Sequence, residues 1–342
     1  MNMYVAIGLA VVIGFLVAYL SGYVFIPWLH KLKFGQTILD IGPAWHKKKQ
    51  GTPTMGGMIF LLGITVALAV VLITDKLMGG DLLAQGANDP AGAKVKIFSG
   101  LLMSLAYCVV GFADDYIKVV KKRNLGLTIL QKSIAQILIM AVYLGTLYSV
   151  GATYIFVPFV GNVETGFFFW VIGVAAMYCT VNAVNFTDGV DGLCASVTMT
   201  AAASLTVVAV LRNLAGVGLV SACLFGALAG YLIWNWNPAR VMMGDFGSML
   251  LGGLIIALAY SLDAPWIILL SGAIYVIEFL SDIIQISYFK ITHGKRIFKM
   301  APIHHHFEKC GWSEKKICKV FCLVNSLCGI AAILLCYFGR FK

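Results

Sequence analysis

The chain has 342 residues, of which 60% are hydrophobic and only 12% are charged, and its mean hydropathy is +0.90. This composition excludes an ordinary soluble domain, in which about 25% of residues are charged. The net charge of +10 does not indicate a nucleic-acid partner, because the basic residues cluster in short loops between apolar runs. Such loops are typical of the cytoplasmic face of a membrane protein, beside anionic lipid headgroups. We therefore expect an all-α polytopic membrane protein whose residues 1–342 form a single domain.

Apolar segments of spanning length predict about ten transmembrane helices. They fall at about 3–29, 55–75, 96–118, 128–149, 167–184, 192–212, 217–235, 247–262, 265–289 and 317–339. The first run continues to Trp28 without a cleavage-site pattern, so we expect it to be a retained span. Between the fourth and fifth spans, the segment 153–163 with its Gly161-Asn162 pair predicts a small β-hairpin at the outer surface.

Lysine and arginine are concentrated in the loops after the first, third, seventh and ninth spans, for example at Lys31, Lys48, Lys121, Arg240 and Lys295. The positive-inside rule places these loops in the cytoplasm. Because an even number of spans puts both termini on one side, both are expected outside. Nearly all the unusual polar residues fall on the same side as the basic loops, which predicts an active site that faces the cytoplasm.

The second span opens with the segment 51–57, which contains Thr52 and follows a run of three lysines at 47–49. Threonine hydroxyls and free backbone N–H groups at a helix N-terminus suit a phosphate. A helix cap with a basic flank explains the same residues, and on this motif alone it is the favoured interpretation.

Asp114 and Asp115 close the third span, and Lys118 follows them by about one helical turn. Membrane segments keep ionisable groups mainly for function. Two acids and a base at a helix end can hold a divalent cation and a phosphate together. The alternative is that the two acids only mark the point where the helix leaves the membrane.

Polar residues recur every third position after the fifth span, at Asn182, Asn185, Asp188 and Asp191. On a helical backbone this spacing gives one polar stripe, which can bind a sugar, a nucleotide or a metal. A chain turn stabilised by Asn and Asp side chains is the alternative.

Asp245 stands alone between glycines just before the eighth span, and Ser248 follows it. Its position fits a helix N-cap and a metal ligand that completes the aspartate pair equally well. On the ninth span, Glu278, Asp282 and Gln285 share one helix face. We expect the two acids to be structural and Gln285, nearest the cytoplasm, to reach a substrate.

Three consecutive histidines, His304, His305 and His306, follow the ninth span. Consecutive side chains point in different directions, so all three cannot easily bind one zinc ion. We expect one or two of them to face the acidic cluster, where they would bond a phosphate or orient a carboxylate.

With these motifs in order, the sequence resembles the phospho-N-acetylmuramoyl-pentapeptide transferase (MraY) family, within the polyprenyl-phosphate N-acetylhexosamine-1-phosphate transferases. The residues that carry the resemblance are Thr52-Pro53-Thr54-Met55-Gly56-Gly57, Asp114-Asp115-x-x-Lys118, the stretch 182–192, Gly244-Asp245-x-Gly247-Ser248 and the stretch 301–308. The acidic motifs are shared across the wider group. The threonine–proline motif and the triple histidine are typical of the muramoyl-pentapeptide branch.

The resemblance implies transfer of phospho-MurNAc-pentapeptide from UDP-MurNAc-pentapeptide to undecaprenyl phosphate in the bacterial plasma membrane. It further implies Mg²⁺ and a homodimer. Asp245 is the implied Mg²⁺ ligand, and Asp114, Asp115, Asp245 and His304 are the implied catalytic residues. The implied substrate-binding residues are Lys47 (with Lys49 as the alternative), Thr52, Lys118, Asn182, Asn185, Asp188, Asp191, Ser248, Gln285 and His305. Met242 stands where the family often has phenylalanine, which weakens any expectation of an aromatic stacked on the uracil there.

For the chemistry, we favour direct attack by the lipid phosphate, with Asp114 positioning or deprotonating it. A covalent aspartyl phosphate on Asp115 is the second hypothesis. Among other functions, a UDP-GlcNAc or UDP-GalNAc phosphotransferase stays within the same group. A cation transporter would need polar residues through the membrane depth, and an intramembrane zinc protease would need H-E-x-x-H, which the sequence lacks.

Overall fold

The computed structural model describes residues 1–32, 51–121 and 125–339. Its long helices are α1 (Met3–Lys31), α2 (Gly57–Leu77), α3 (Pro90–Val120), α4 (Ile129–Ser149), α5 (Phe168–Thr187), α6 (Leu193–Leu211), α7 (Ala215–Asn235), α8 (Gly244–Ser261), α10 (Ala273–Ile291) and α12 (Glu314–Phe338). Two short helices, α9 (Ile268–Ser271) and α11 (Ile303–Lys309), flank α10. Within the described ranges, nine helices are long and apolar enough to cross a membrane, and a bent pair makes a tenth. The predicted all-α membrane fold is therefore confirmed.

The two ends of this bundle differ in what they carry. We call the end with Asp114 and Asp245 the site end, and the opposite end, with Asp263 and the β-hairpin, the hairpin end. The hairpin consists of β1 (Tyr154–Val157) and β2 (Gly161–Glu164), which pair antiparallel as predicted. The Phe156 N–H donates to the Asp263 carbonyl at 2.7 Å, which ties the hairpin to the end of α8.

The third helix begins earlier than the hydropathy pattern predicts. α3 starts at Pro90, whereas the apolar run begins near residue 96. The Asp89 side chain caps the helix by accepting a hydrogen bond from the Ala91 N–H, and proline suits the first helical position because it has no N–H to satisfy. Capping therefore extends the helix through a polar segment that hydropathy alone does not include.

The ninth predicted span, 265–289, is not one continuous helix. A 3-10 turn at Pro265–Ile267 leads into α9, and α10 then leaves Gly272 at an angle of 88° to this pair. The fully buried Asn325 of α12 occupies the break: it donates to the Ser271 carbonyl at 2.8 Å and accepts from the Ile274 N–H at 3.2 Å. Because a break inside a membrane leaves backbone groups without partners, this one side chain stabilises the bend.

The eighth helix lies at the centre of the bundle, with almost every residue after Asp245 buried. Gly252 and Gly253 explain how it packs so closely. A Cβ on Gly252 would lie 2.8 Å from the Val181 Cα of α5, and one on Gly253 would lie 3.1 Å from the Ser104 Cα of α3. Small residues allow such close helix packing in membranes, and here they bring α3, α5 and α8 together below Asp245.

Candidate active site

Three carboxylates meet at the site end. Asp114 and Asp115 come from the last turns of α3, and Asp245 comes from the first turn of α8. One oxygen from each carboxylate lies within 4.8 Å of the other two. Asp114 and Asp115 are buried, whereas the Asp245 side chain keeps 19% of its surface exposed. Asp245 is therefore the member of the cluster that is most open to a ligand.

Two lysines lie among these carboxylates. The Lys118 ammonium is 2.5 Å from Asp114 Oδ2, 3.1 Å from Asp245 Oδ2 and 3.8 Å from Asp115 Oδ1. Lys132, from the first turns of α4, donates to the same Asp245 oxygen at 2.9 Å. When all five groups are ionised, three negative charges face two positive ones. Among the described residues the cluster thus keeps a surplus of one negative charge.

Asn185 and Ser248 hold the second oxygen of Asp245. The Asn185 amide, on α5, donates to Asp245 Oδ1 at 2.9 Å and to the Ser248 hydroxyl at 2.7 Å. The Ser248 hydroxyl donates in turn to the Gly244 carbonyl at 3.1 Å. Since both carboxylate oxygens have fixed partners, the orientation of Asp245 is set from α3, α4, α5 and α8 together.

Asp115 caps the eighth helix from a different helix. The Phe246 N–H, in the first turn of α8, donates to Asp115 Oδ2 at 3.0 Å. A carboxylate is favoured at a helix N-terminus because the free N–H groups there carry partial positive charge. Gly244 has φ +69°, and a Cβ there would overlap the Asp115 carboxylate and lie 2.6 Å from the Thr54 hydroxyl. Glycine is thus required at this position for both conformation and space.

The threonine–proline motif lies against the segment that leads into Asp245. The Gly56 N–H donates to the Met242 carbonyl, and the Met242 N–H donates to the Pro53 carbonyl, both at 2.8 Å. Thr52, at the edge of this pairing, is partly exposed. Lys47, and with it Lys49, lies outside the described residues, so its predicted role stays a prediction.

The polar stripe predicted after the fifth span divides into two parts. Asn182 and Asn185 lie on α5, which continues to Thr187, beyond its predicted end at residue 184. Asn182 donates to the Gln136 side chain of α4 at 2.9 Å. Asp188 caps the helix and is partly exposed. Asp191 is buried, and its Oδ2 accepts from the side chain of Asn237 at 3.1 Å and from the backbone N–H of Ala239 at 3.0 Å. Asp191 therefore fixes the chain between α7 and α8.

The residues predicted on the ninth span and in the histidine run make contacts within and between α10, α11 and the chain that joins them. Gln285 Oε1 accepts from the Phe298 N–H at 2.9 Å. His304 is fully buried and pairs with Glu278 at 3.0 Å. His305 pairs with Glu308 of its own helix at 2.6 Å. The third histidine accepts from the Lys299 N–H through its Nδ1. The three rings thus have three separate partners, and do not share one ion.

Lys132 is not among the residues predicted from the sequence. It lies in the first turns of the fourth, apolar span, and it is the second cation of the cluster. Gln136, one turn further along α4, was missed for the same reason and is buried against Asn182. The available signal was a lone lysine just inside an apolar run, since such a residue in a membrane needs a partner.

The aspartate cluster has the donor set and size of a hard-cation site. All its ligand atoms are carboxylate oxygens, which suit Mg²⁺ and Ca²⁺ better than softer metals. Oxygens on one Mg²⁺ lie within about 4.2 Å of each other, and the oxygens here lie within 4.8 Å. Small side-chain rotations would therefore close the three carboxylates on one ion, which would also offset their surplus charge.

The comparisons with known proteins agree with these motifs. The family described as Glycosyl transferase family 4 matches residues 97–263. A phospho-N-acetylmuramoyl-pentapeptide-transferase of Clostridium botulinum (strain Alaska E43 / Type E3) is 41% identical over 333 residues, which cover 96% of this chain and 94% of that protein. Proteins of the same name from Bacillus thuringiensis (strain Al Hakam) and Bacillus cereus (strain Q1) are 41% identical over 323 residues, covering 94% of this chain and 95% of each relative.

The matched lengths include every motif described above, from Thr52 to His305, and leave almost none of either chain unaligned. The resemblance noted from the motifs is therefore confirmed over the whole chain. The chain belongs to the phospho-N-acetylmuramoyl-pentapeptide-transferase family.

Proposed function

We propose that this protein transfers phospho-MurNAc-pentapeptide from UDP-MurNAc-pentapeptide to undecaprenyl phosphate, giving lipid I and UMP. This is the first membrane step of peptidoglycan synthesis. The observation that carries the proposal is the cluster of three carboxylates and two lysines at one end of a membrane bundle. The name shared by the relatives favours this donor over UDP-GlcNAc or UDP-GalNAc.

The protein is a multi-pass membrane protein, and we place its site end at the cytoplasmic face of the bacterial plasma membrane. Support comes from the basic residues at this end, including Lys121, Lys290, Lys295 and Lys316. A site at the membrane surface suits a reaction between a water-soluble nucleotide sugar and a lipid. The homodimer implied by the family resemblance stays a prediction.

The cation of this site is proposed to be Mg²⁺, held by Asp245 with Asp114 and Asp115 beside it. When bound, Mg²⁺ screens the pyrophosphate and stabilises the charge of the departing UMP. Asn185 and Ser248 keep Asp245 oriented for this role, because they hold the carboxylate oxygen that the lysines do not.

Lys118 and Lys132 are proposed to move from the carboxylates to the substrate phosphates. Both ammoniums lie within 3.1 Å of Asp245 Oδ2, so a cation at the carboxylates would release them. Two positive charges fixed in a partly buried site lower the repulsion between an anionic donor and an anionic acceptor.

In the proposed step, an oxygen of undecaprenyl phosphate attacks the phosphorus bonded to MurNAc. The new P–O bond forms as the bond to the UMP oxygen breaks, and UMP leaves with that electron pair. Asp114 is the residue proposed to position the attacking phosphate and accept its proton. Its Oδ1 accepts from the Leu127 N–H at 2.9 Å and its Oδ2 lies beside Lys118, so the carboxylate is held in one orientation.

A covalent intermediate on Asp115 is the less favoured route. Asp115 is 4% exposed, and its Oδ2 already accepts from the first turn of α8. Attack on a phosphorus atom would require this oxygen to leave the helix N-terminus and reach a substrate. The other residues of the predicted set, namely Lys47, Thr52, Asn182, Asp188, Asp191, Gln285, His304 and His305, stay predicted contacts or supports for the substrates.

The test is UMP release by the purified protein in lipid nanodiscs that contain undecaprenyl phosphate. Release is expected with UDP-MurNAc-pentapeptide and Mg²⁺, and is not expected with UDP-GlcNAc, UDP-GalNAc or added chelator. Asp245→Ala and Asp115→Ala should be close to inactive while remaining folded. Turnover of UDP-GlcNAc alone would overturn the proposed donor, and a phosphorylated enzyme formed without lipid phosphate would overturn the direct attack.

A further inference from the structure

Glu278 and His304 form a buried pair apart from the aspartate cluster. Glu278 lies on α10 and His304 on α11, and both side chains are 0% exposed. The His304 Nδ1 is 3.0 Å from Glu278 Oε2. A polar pair buried this deeply has lost its hydration, so its retention calls for a structural or functional reason.

The pair orients the histidine ring, with Nδ1 toward Glu278. A carboxylate oxygen accepts a hydrogen bond from a ring N–H, so this contact favours the tautomer with the proton on Nδ1. The Nε2 atom is buried and has no hydrogen-bonding partner among the described residues. A second proton on Nε2 would therefore bury a charged N–H without an acceptor. Glu278 thus fixes which edge of the His304 ring faces away from α10, namely the edge that carries Nε2.

The Nε2 edge of the ring packs under the turn that follows α5. A Cβ added to Gly189 would overlap His304 Nε2, and its three nearest atoms would all belong to that ring. Gly189 does not have a positive φ. Glycine is needed here for space alone, because the histidine occupies the volume of any side chain. The His304 ring therefore packs directly against Gly189, whose neighbour in the chain is the partly exposed Asp188.

Other contacts hold the two helices of this pair in place. Asn325 caps the start of α10 through the Ile274 N–H. Two turns beyond Glu278, Gln285 holds the backbone of Phe298, on the chain that leads to α11. Glu278, His304 and the turn at 188–192 thus form a continuous contact between three elements. A shift of the ring would displace Gly189, which is bonded to Asp188 in the chain.

We propose that Glu278 is a positioning residue, which acts through His304 to set the turn at Asp188 and thereby the binding of the nucleotide-sugar donor. This rests on the proposed function, in which Asp188 contacts that donor. The residue touches neither substrate nor the aspartate cluster. Its effect therefore appears in the KM for the donor more than in kcat.

The experiment compares Glu278→Gln and Gly189→Ala with the wild type in the nanodisc assay. Each variant is expected to raise the KM for UDP-MurNAc-pentapeptide about 10-fold, the lower range for residues that orient a ligand-binding side chain, and to leave the KM for undecaprenyl phosphate unchanged. In a His304→Asn background, Glu278→Gln should add no further effect, because its route is then already broken. Glu164→Gln in the hairpin is the matched control and should behave as the wild type.

A second readout does not depend on turnover. In protein labelled with ¹⁵N-histidine, the His304 ring is identified as a signal absent from His304→Asn; this signal is expected to show a proton on Nδ1 and to change in Glu278→Gln. A wild type that releases no UMP contradicts the proposed function, and the labelled spectra then test the pair alone. A donor KM unchanged by both single variants, additive effects in the double variant, or an unchanged histidine signal in Glu278→Gln would overturn the inference.

Discussion

The two ends of the bundle both bury acids beside lysines, but the charges balance differently. At the hairpin end, Lys96 and Asp263 form an ion pair in which each side chain is 12% exposed, and the Arg212 guanidinium also interacts with Asp263. At the site end, three carboxylates lie beside two cations, Lys118 and Lys132. A carboxylate that is already outnumbered by cations needs no metal ion, whereas a buried surplus of negative charge is expensive until a cation offsets it. Buried charged residues alone therefore do not indicate a cation site. A surplus of negative charge among them does.

The other contacts of the hairpin-end cluster also indicate a structural role. Asp263 also accepts from the Tyr154 hydroxyl at 3.3 Å, and the Arg212 guanidinium bonds the neighbouring Leu262 carbonyl. Burial, with a smaller contribution from Asp263, raises the pKa of Tyr154 to about 12, so the hydroxyl stays a donor throughout the physiological range. These contacts join the hairpin to the helices, so we expect the hairpin-end cluster to serve stability and the site-end cluster to serve catalysis.

The largest expected effect is that of Asp245→Asn. It removes the charge of the most exposed carboxylate in the aspartate cluster. The kcat for UMP release should fall about 1000-fold, which is the effect of losing one main electrostatic contact to a transition state. The folded fraction, followed by size-exclusion chromatography, should be unchanged. If Asp245→Asn kept more than a tenth of the wild-type rate, the site-end cluster would not be the catalytic one.

Asp263→Asn is the matched change at the hairpin end. Removal of one partner of a buried ion pair lowers the free energy of unfolding by about 3 kcal/mol, so the melting temperature should fall clearly. UMP release below that temperature should stay within about twofold of the wild type, since the described residues of this cluster have no surplus of negative charge for a catalytic cation to offset. A loss of activity as large as that of Asp245→Asn would show that the two ends are not functionally distinct.

Lys132→Met tests the second cation of the aspartate cluster, which the sequence did not predict. The side chain donates to Asp245 and lies 3.3 Å from the Asn185 amide oxygen. Its loss should lower kcat about 100-fold, the upper range for a residue that orients a ligand-binding group. Lys96→Met is the control at the hairpin end and should lower thermal stability while activity is retained. An equal loss of rate in both variants would contradict the assignment.

The smallest expected effect is that of Tyr154→Phe. It removes one hydrogen bond to Asp263 and should lower the free energy of unfolding by about 1 kcal/mol. Because the pKa of Tyr154 is raised to about 12, its contribution is complete below pH 10 and is lost as the pH rises toward 12. The melting temperatures of the variant and the wild type should therefore converge in that range. A constant difference through pH 12 would contradict the bond to Asp263.

The sequence predicts most of the fold because span length and hairpin turns are local signals. The run that ends at Asp114 and the hairpin at 153–163 both appear where local rules place them, although the turn itself lies at 158–160 and the Gly161-Asn162 pair begins β2. The bend at Gly272 is different: it depends on Asn325, more than fifty residues later in the chain. No local pattern around 265–289 distinguishes a continuous helix from one whose broken backbone is satisfied from another helix.

The sequence predicts the acidic residues of the site but not how the site residues pair in space. Two adjacent aspartates in an apolar run and a lone Asp245 between glycines are unusual enough to be noticed in a sequence. Lys132 is not noticeable in this way, because a single lysine near the boundary of a span is common. It becomes informative only when its partner, Asp245, is known. The same holds for His304, whose pairing with Glu278 requires α10 and α11 to be packed before the two residues meet.

The proposed function depends on Asp114, Asp115 and Asp245 forming one cation site. The most direct test is binding of Mn²⁺, a spectroscopic substitute for Mg²⁺, to the detergent-purified protein, measured by electron paramagnetic resonance with competing Mg²⁺. We expect one saturable site from which Mg²⁺ displaces Mn²⁺, which is lost in Asp245→Asn and kept in Asp263→Asn. Equal Mn²⁺ binding by the wild type and Asp245→Asn would contradict it.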